Sequence, residues 1–393
     1  MKIMFVHNAY QQAGGEDVVF EQECRLLESH GHEMVTYRRS NQEIGKLSLM
    51  DRAMLAKRTV WASDTHHDFG ALLERENPDV VHVHNTLVMI SPSIYSACRK
   101  RGIPVVQTLH NFRLLCPGSL FFREGKICED CVEHSLLRSI WHGCYRDSRP
   151  ATASVAVMLA WHRQSGTWDE LVDRYIALTD FARNKFIASG FAADKIVVKP
   201  NFVDRDPGAK ESAGNGALYV GRLSKEKGLH TLLDAWKRLP KGCALQIVGD
   251  GPKRKELEEE AQRCGLSSIQ FLGRLSHAES LAAMKGACFL VLPSECYEGF
   301  PMTIAESFAC GTPVICSRLG AMEEIVDDPR TGLHFAPGDC EDLARKVEWA
   351  FDHSSEIAAM GRSARREYEA RYTSEIAYDQ LMDIYRQTMA TYE

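Results

Sequence analysis

Residues 288–311 read CFLVLPSECYEGFPMTIAESFACG. Cys288 to Leu292 form a continuous apolar run of strand length, Pro293 to Gly299 carry turn chemistry, and apolar residues recur at helical spacing from Met302. The stretch therefore predicts a buried parallel strand, a loop and a helix. Pro301 is expected at the first helical position, where its missing N–H costs nothing. Glu298 falls in the loop and Glu306 more than a turn inside the helix, with seven residues between them. The free N–H groups of the first turn lie between the two carboxylates. That layout can hold an elongated ligand, with hydroxyls at each end and negative charge facing the N–H groups. Acidic residues also gather at helix N-termini simply because the dipole favours them.

The same strand, loop and helix pattern extends in both directions. KIMFVHN, DVVHVHN and IPVVQTLHN are strand-length runs in the first half, with EDVVFEQECRLLESHG as a helix between the first two. ALYVGRL, ALQIVGDG, IQFLGRL, CFLVLPS and PVICS repeat the pattern after residue 216, with helices such as HTLLDAWKRL and KRKELEEEAQRCG between them. The Pro-, Gly-, Asp- and Ser-containing stretch 200–216 reads as a linker. The expected fold class is α/β, with two doubly wound parallel-sheet domains facing a cleft and ligands at the carboxyl ends of their strands.

Bulk properties limit the function classes. At 393 residues the chain exceeds one ordinary core, and 47 basic against 53 acidic residues argue against a strongly basic nucleic-acid binder. MKIMFVHN runs straight into core residues without the regions of a signal peptide, so a cytoplasmic protein is expected. The longest apolar candidate, ATASVAVMLAW at 151–161, is too short to span a bilayer, which leaves peripheral membrane contact. Thirteen cysteines in a reducing compartment favour free thiols or metal ligands over disulfides.

Several strand ends carry binding chemistry. Gly14 and Gly15 precede a helix, where backbone N–H groups can approach an anion, although such a turn also serves purely structural ends. Arg222 and Lys227, in YVGRLSKEKG, fall between a strand and a helix, where two cations can grip a diphosphate. Gly249 and Gly251 in IVGDGP border either a nucleotide base or a tight turn. Cys116, Cys128, Cys131 and Cys144 have spacings open to a structural zinc site, a redox pair or free thiols.

GRLSKEKG, IVGDGP, FLGR, PSECYEGFPMTIAESFACGTPVI and TGLHFAPGD occur in an order and spacing that resembles the retaining glycosyltransferases of family 4, which have the GT-B fold. The resemblance covers essentially the whole chain, including PDVVHVHN, QTLHNFRLLCP and a helical tail from about Tyr372. It implies a Rossmann-like acceptor domain over 1–199 with a Cys-rich insertion at about 113–150, a linker over 200–216, a donor domain over 217–371, and a helix over 372–393 that packs on the first domain.

By the resemblance, Glu298 and the backbone of Phe300, Pro301, Met302 and Thr303 hold the donor sugar, Glu306 binds the ribose, and Arg222 with Lys227 binds the diphosphate. Gly14, Gly15, Gly249, Gly251, Arg274 and Leu275 complete the expected donor site. His84, Asn85 and His110 stand on the acceptor side, with His110 near the reacting sugar. The implied donor is a UDP- or GDP-sugar and the implied acceptor a glycan or polyprenyl-linked glycan, in surface polysaccharide assembly. Fixed cations stabilise the departing diphosphate, so no catalytic metal is expected. Retention is implied by the family.

Similar cysteines occur in a subset of family 4, consistent with structural zinc. The stretch 99–149 has nine Lys or Arg against five Asp or Glu, interleaved with Phe121, Phe122, Leu136, Leu137, Ile140 and Trp141, a composition suited to an anionic membrane face or to an ordinary folded insertion. A GT-B epimerase and a catalytically silent donor-binding subunit are the alternatives.

Overall fold

The computed structural model describes residues 1–11, 14–46 and 54–392. Two compact units are present. One comprises Met1–Phe121, Glu129–Asn201 and Ala377–Glu393, and the other Phe202–Ile376 with Phe122–Cys128.

The first unit is built on β1 (Lys2–Ala9), β2 (Glu33–Ser40), β3 (Val80–Asn85) and β4 (Val105–Leu109), followed after the small antiparallel hairpin β5 (Phe122–Arg123) and β6 (Lys126–Ile127) by β7 (Arg174–Ala177) and β8 (Ile196–Val198). Its sheet is parallel, in the order β2-β1-β3-β4-β7-β8. Chain direction across the sheet reverses between β1 and β3. The helix Gly15–Ser29 follows β1, and its Phe20, Cys24 and Leu27 close over Ile3 and Phe5.

The C-terminal helix Ser374–Met389 adds Leu381, Met382, Ile384 and Tyr385 to this same core. Each large side chain fully buried in this way contributes about 1.5–3 kcal/mol. The last turns of the chain are therefore part of the first unit's folding.

β2 was not expected from the pattern. It is an edge strand, half-exposed along its length, and Glu33, Arg38 and Arg39 interrupt the apolar alternation. Short strands β7 and β8 escaped for lack of length.

The second unit contains β9 (Ala217–Val220), β10 (Leu245–Val248), β11 (Ile269–Gly273), β12 (Phe289–Leu292), β13 (Val314–Ser317) and β14 (Gly332–Phe335). They form a parallel sheet in the order β11-β10-β9-β12-β13-β14. Here the reversal falls between β9 and β12. The core joins Tyr219, Ile247, Phe289 and Ile315 to Leu232, Trp236, Leu343 and Val347 from the flanking helices Leu229–Trp236 and Cys340–Asp352.

The stretch read as a linker is seated on the second unit from Phe202 onward. Lys210 Nζ donates to the carbonyls of Ala287 and Cys288, and its N–H donates to Cys310 O. Within the Cys-rich region, two short helices, Asp130–Glu133 and Leu136–His142, follow the hairpin. Phe121, expected on an exposed face, is buried against Phe112. Among the described residues no helix is long and apolar enough to cross a membrane.

Candidate active site

In the second unit the expected residues meet at the reversal. The loop after β9 carries Arg222 and Lys227, and the loop after the neighbouring β12 carries Glu298. Right-handed crossovers send the flanking helices to opposite faces there and open a crevice at the carboxyl edge.

Close contacts join the two loops. Gly228 has a φ of 67°, and a Cβ there would run into the Pro293 carbonyl oxygen, so only glycine lets the β9 loop lie against the β12 loop. Glu295 N–H then donates to Glu226 O at 2.9 Å. This sets Lys227 Nζ at 2.5 Å from Glu298 Oε1, which also accepts from Ser294 Oγ at 2.7 Å. Burial alone would lower the Lys227 pKa, but the Glu298 carboxylate outweighs it and holds the ammonium above its ordinary value. The two residues expected to meet the phosphate and the sugar separately are thus ion-paired. Arg222 is exposed, and its guanidinium makes no ion pair among the described residues.

Glu306 lies on the helix Met302–Ala309, and its Oε1 is 3.0 Å from His277 Nε2. Glu306 raises the His277 pKa. His277 opens the helix His277–Gly286, and sequence reading missed it because its partner lies 29 residues away. Pro301 is the N-cap of the Glu306 helix, not its first residue, with an extended ψ of 102°. The free first-turn N–H groups therefore start at Met302 and include Thr303. The Phe300 ring is buried against Tyr372.

Gly249 has a φ of 140°, and both it and Gly251 lie so close to Gly221 and Leu223 carbonyls that a Cβ would clash. Their evident role is to seat the β10 loop under the β9 loop. Arg274 and Leu275 follow β11, two strands from β9, with Arg274 exposed. In the Asp-x-Asp spacing at Asp204 and Asp206, Arg365 grips both Asp206 oxygens at 2.6 Å, while Asp204 adds to the effect of Glu306 in raising the His277 pKa.

In the first unit the polar side chains also gather at the reversal. His7, at the end of β1, places Nε2 at 2.9 Å from Asp17 Oδ1, and Asp17 Oδ2 accepts from Gly14 N–H at 2.8 Å. The Gly14 N–H is thus committed to its own helix. His84, on β3, stacks on His110, after β4, with Nδ1 and Nε2 2.9 Å apart. Asn85 ties loops, donating to Asn8 O and accepting from Leu87 N–H.

His84 and His110 line a small cavity, partly open to solvent, with Tyr10, Glu16, Thr86 and Asn111. The Glu16 carboxyl accepts from Tyr10 Oη at 3.0 Å and from Asn111 Nδ2 at 3.2 Å. Burial pushes it up to about 8, with a smaller contribution from Asp17 and partial opposition from Tyr10 and Arg113. Glu16 had only its place beside Gly15 to mark it in the sequence.

Two of the four cysteines make a thiol pair: the bond to Cys131 lowers the Cys116 thiol, while the same bond, with burial second, raises Cys131. Cys144 lies near, beside Gly118. Cys128 belongs to the segment grouped with the second unit. Among the described residues, the group of metal-capable side chains whose ligand atoms lie within 4.8 Å of one another is Glu23, His82 and His84 rather than the cysteines.

Two doubly wound parallel domains, each with polar loops at its reversal, define a GT-B protein. The chain belongs to the GT-B glycosyltransferases: residues 13–207 match glycosyltransferase family 4 and residues 202–367 match the glycosyl transferases group 1. It is 32% identical over 298 residues to a glycogen synthase of Mycobacterium tuberculosis, a match covering 74% of this chain and 64% of that one. Among solved structures, sucrose-phosphate synthase from Thermosynechococcus elongatus superposes with a TM-score of 0.75 at 19% identity, covering 99% of each chain. Anabaena HepE, solved in complex with UDP, follows at 0.70 and 20%, covering 98% of this chain and 100% of that one.

The Glu16 carboxyl has a testable pH signature. Its folded pKa, about 8, is raised above the ordinary 4.5, so its contribution to stability is fully present below pH 4.5 and lost as pH rises through about 8. Thermal unfolding of wild type against Glu16→Gln across this range should show the wild type losing stability relative to the variant. Parallel curves would contradict the assigned environment.

Proposed function

We propose that the chain transfers a sugar, with retention of configuration, from a nucleoside diphosphate sugar to a glycan or lipid-linked glycan acceptor. The observation that carries the reading is the Lys227–Glu298 ion pair at the β9/β12 reversal, in the loop that also carries Arg222 and beside a helix N-terminus. As the bond to phosphate breaks, negative charge grows on the diphosphate. Lys227, Arg222 and the N–H groups of Met302 and Thr303 are cations and dipoles placed to meet it. Glu298 orients Lys227 and offers a carboxylate to the sugar hydroxyls, and Glu306 serves the ribose. His110 stands on the acceptor side. A uridine donor is supported by the UDP bound to Anabaena HepE, and glycan assembly by the relationship to a glycogen synthase.

Arg222→Ala or Lys227→Ala should lower turnover by about a hundredfold or more, the range for losing one electrostatic stabiliser. Glu306→Gln should weaken binding of free nucleoside diphosphate in calorimetric titration, whereas Glu298→Gln should leave it nearly unchanged and lower turnover instead. Equal losses of nucleotide affinity would show that the carboxylates do not divide the donor this way. Epimerised donor without acceptor-dependent release of nucleoside diphosphate would replace transfer by isomerisation.

An acceptor on a lipid needs a membrane-facing surface, and the helix Arg149–Gln164 supplies a candidate. Its outward side carries Pro150, Ala153, Val157, Ala160 and Trp161, flanked by exposed Arg149 and Arg163, and Trp61 and Lys57 lie beside Trp161. Leu137 and Trp141 are 71% exposed on the adjoining helix, with the Arg149 guanidinium 5.2 Å over the Trp141 ring. We propose that this face rests in the headgroup region of an anionic bilayer. The protein should sediment with phosphatidylglycerol vesicles and Trp161→Glu should release it, while a wild type left in the supernatant would refute the surface.

A further inference from the structure

Beneath the acceptor-side cavity lies a chain of buried polar groups that the transfer reading leaves unexplained. Glu23, on the helix Gly15–Ser29, is 1% exposed, and its Oε1 is held by Lys199 Nζ at 2.7 Å. Among the described residues its Oε2 has no hydrogen-bond partner, and neither has His84 Nε2. These two orphan atoms face each other at 3.6 Å. His84 Nδ1 in turn meets His110 Nε2 at 2.9 Å. The His84 ring is clamped by Phe5 and Phe20, whose centroids lie 5.0 and 5.4 Å from its own.

A cation held by Glu23, His82 and His84 is disfavoured by what surrounds them. The Lys199 ammonium already occupies one Glu23 oxygen, and both His82 nitrogens are engaged, Nδ1 by Tyr385 Oη and Nε2 by Thr108 Oγ1, each at 2.7 Å. The Glu23 Oε2 atom lies 4.0 Å from His82 Nδ1, which is spent on Tyr385, and 3.6 Å from His84 Nε2, which is the imidazole nitrogen left to face it.

Burial, with neighbouring charges second, holds the pKa values of His84 and His110 well below the ordinary value, so each neutral ring carries one N–H. A carboxylate oxygen only accepts, so the His84 proton belongs on Nε2. His84 Nδ1 is then a lone pair and must accept, which places the His110 proton on Nε2. The remaining His110 nitrogen, Nδ1, makes no hydrogen bond among the described residues, and the ring lines the cavity.

We propose that Glu23 is a positioning residue: through His84 it fixes His110 as the Nε2–H tautomer, leaving the Nδ1 lone pair to accept a hydrogen bond from a sugar hydroxyl in the cavity. The inference rests on His110 serving the acceptor side of the transfer reaction. It assigns a task to a carboxylate that touches no substrate, and the logic is that of any buried acid that orients an imidazole.

Nitrogen-15 NMR of histidine-labelled protein, with His110 identified by the signal lost in His110→Gln, reads the tautomer directly. The wild type should show His110 protonated on Nε2. Glu23→Leu/Lys199→Met removes the acceptor together with its buried counter-charge and should raise the Nδ1–H fraction. Turnover should fall about tenfold or more, with the Michaelis constant changed far less. Glu23→Gln/Lys199→Met retains an amide oxygen facing His84 and should recover the wild-type tautomer and much of the rate. A wild-type His110 protonated on Nδ1, or a His110 tautomer ratio unchanged in the folded Leu/Met variant, overturns the relay. The wild-type spectrum alone decides if neither variant folds. A shifted tautomer with unchanged turnover leaves the relay standing and overturns the placement of His110 in the reaction.

Discussion

Right-handed crossovers on a parallel sheet cannot cover both sides of the first strand in the same way, and the rest of each unit depends on that constraint. In the second unit β9 is laid down first, β10 and β11 extend one way, and β12 to β14 the other. The loops leaving β9 and β12 are thereby neighbours whose helices diverge. Gly228 lets these loops touch, and the touch puts Lys227 on Glu298. The first unit obeys the same rule at β1 and β3, where His7 and His84 sit at adjacent strand ends.

The two reversals are furnished differently. In the second unit the site's charges are part-buried or open: Arg222 is exposed, and Glu306 shares an oxygen with an exposed histidine. Such groups are available to an incoming phosphate or ribose at little desolvation cost. In the first unit the charges are enclosed. Glu23 and Lys199 are each 1% exposed and paired, an arrangement in which removing one partner typically costs about 3–5 kcal/mol. Enclosed groups of this kind are poor ligand-binding elements but hold neighbouring rings in one state, as the tautomer proposed for His110 requires.

The C-terminal helix ties chain order to this architecture. Tyr385, fully buried, closes the first unit's core and its Oη reaches His82 Nδ1, 303 residues earlier. The polar layer under the cavity is therefore completed only when the last helix docks, within the same unit, on β1 and β3.

The sequence by itself determined the strand and helix alternation, the two-domain division, the loops that carry Arg222, Lys227 and Glu298 and the helix that carries Glu306, because burial on both faces of a parallel strand writes unbroken apolar runs and glycine-rich turns mark their ends. It did not reveal the edge strand β2, whose half-exposed residues carry charges, or the short strands β7, β8 and β14. Nor did it announce Glu16, Glu23 or His277. Their partners stand on other elements: Asn111 for Glu16, Lys199 for Glu23 and Glu306 for His277. Only the tertiary structure decided that Lys227 pairs with Glu298, since a carboxylate's partner and a ring's tautomer depend on which strands lie side by side, and adjacency across a parallel sheet joins residues that local pattern keeps far apart.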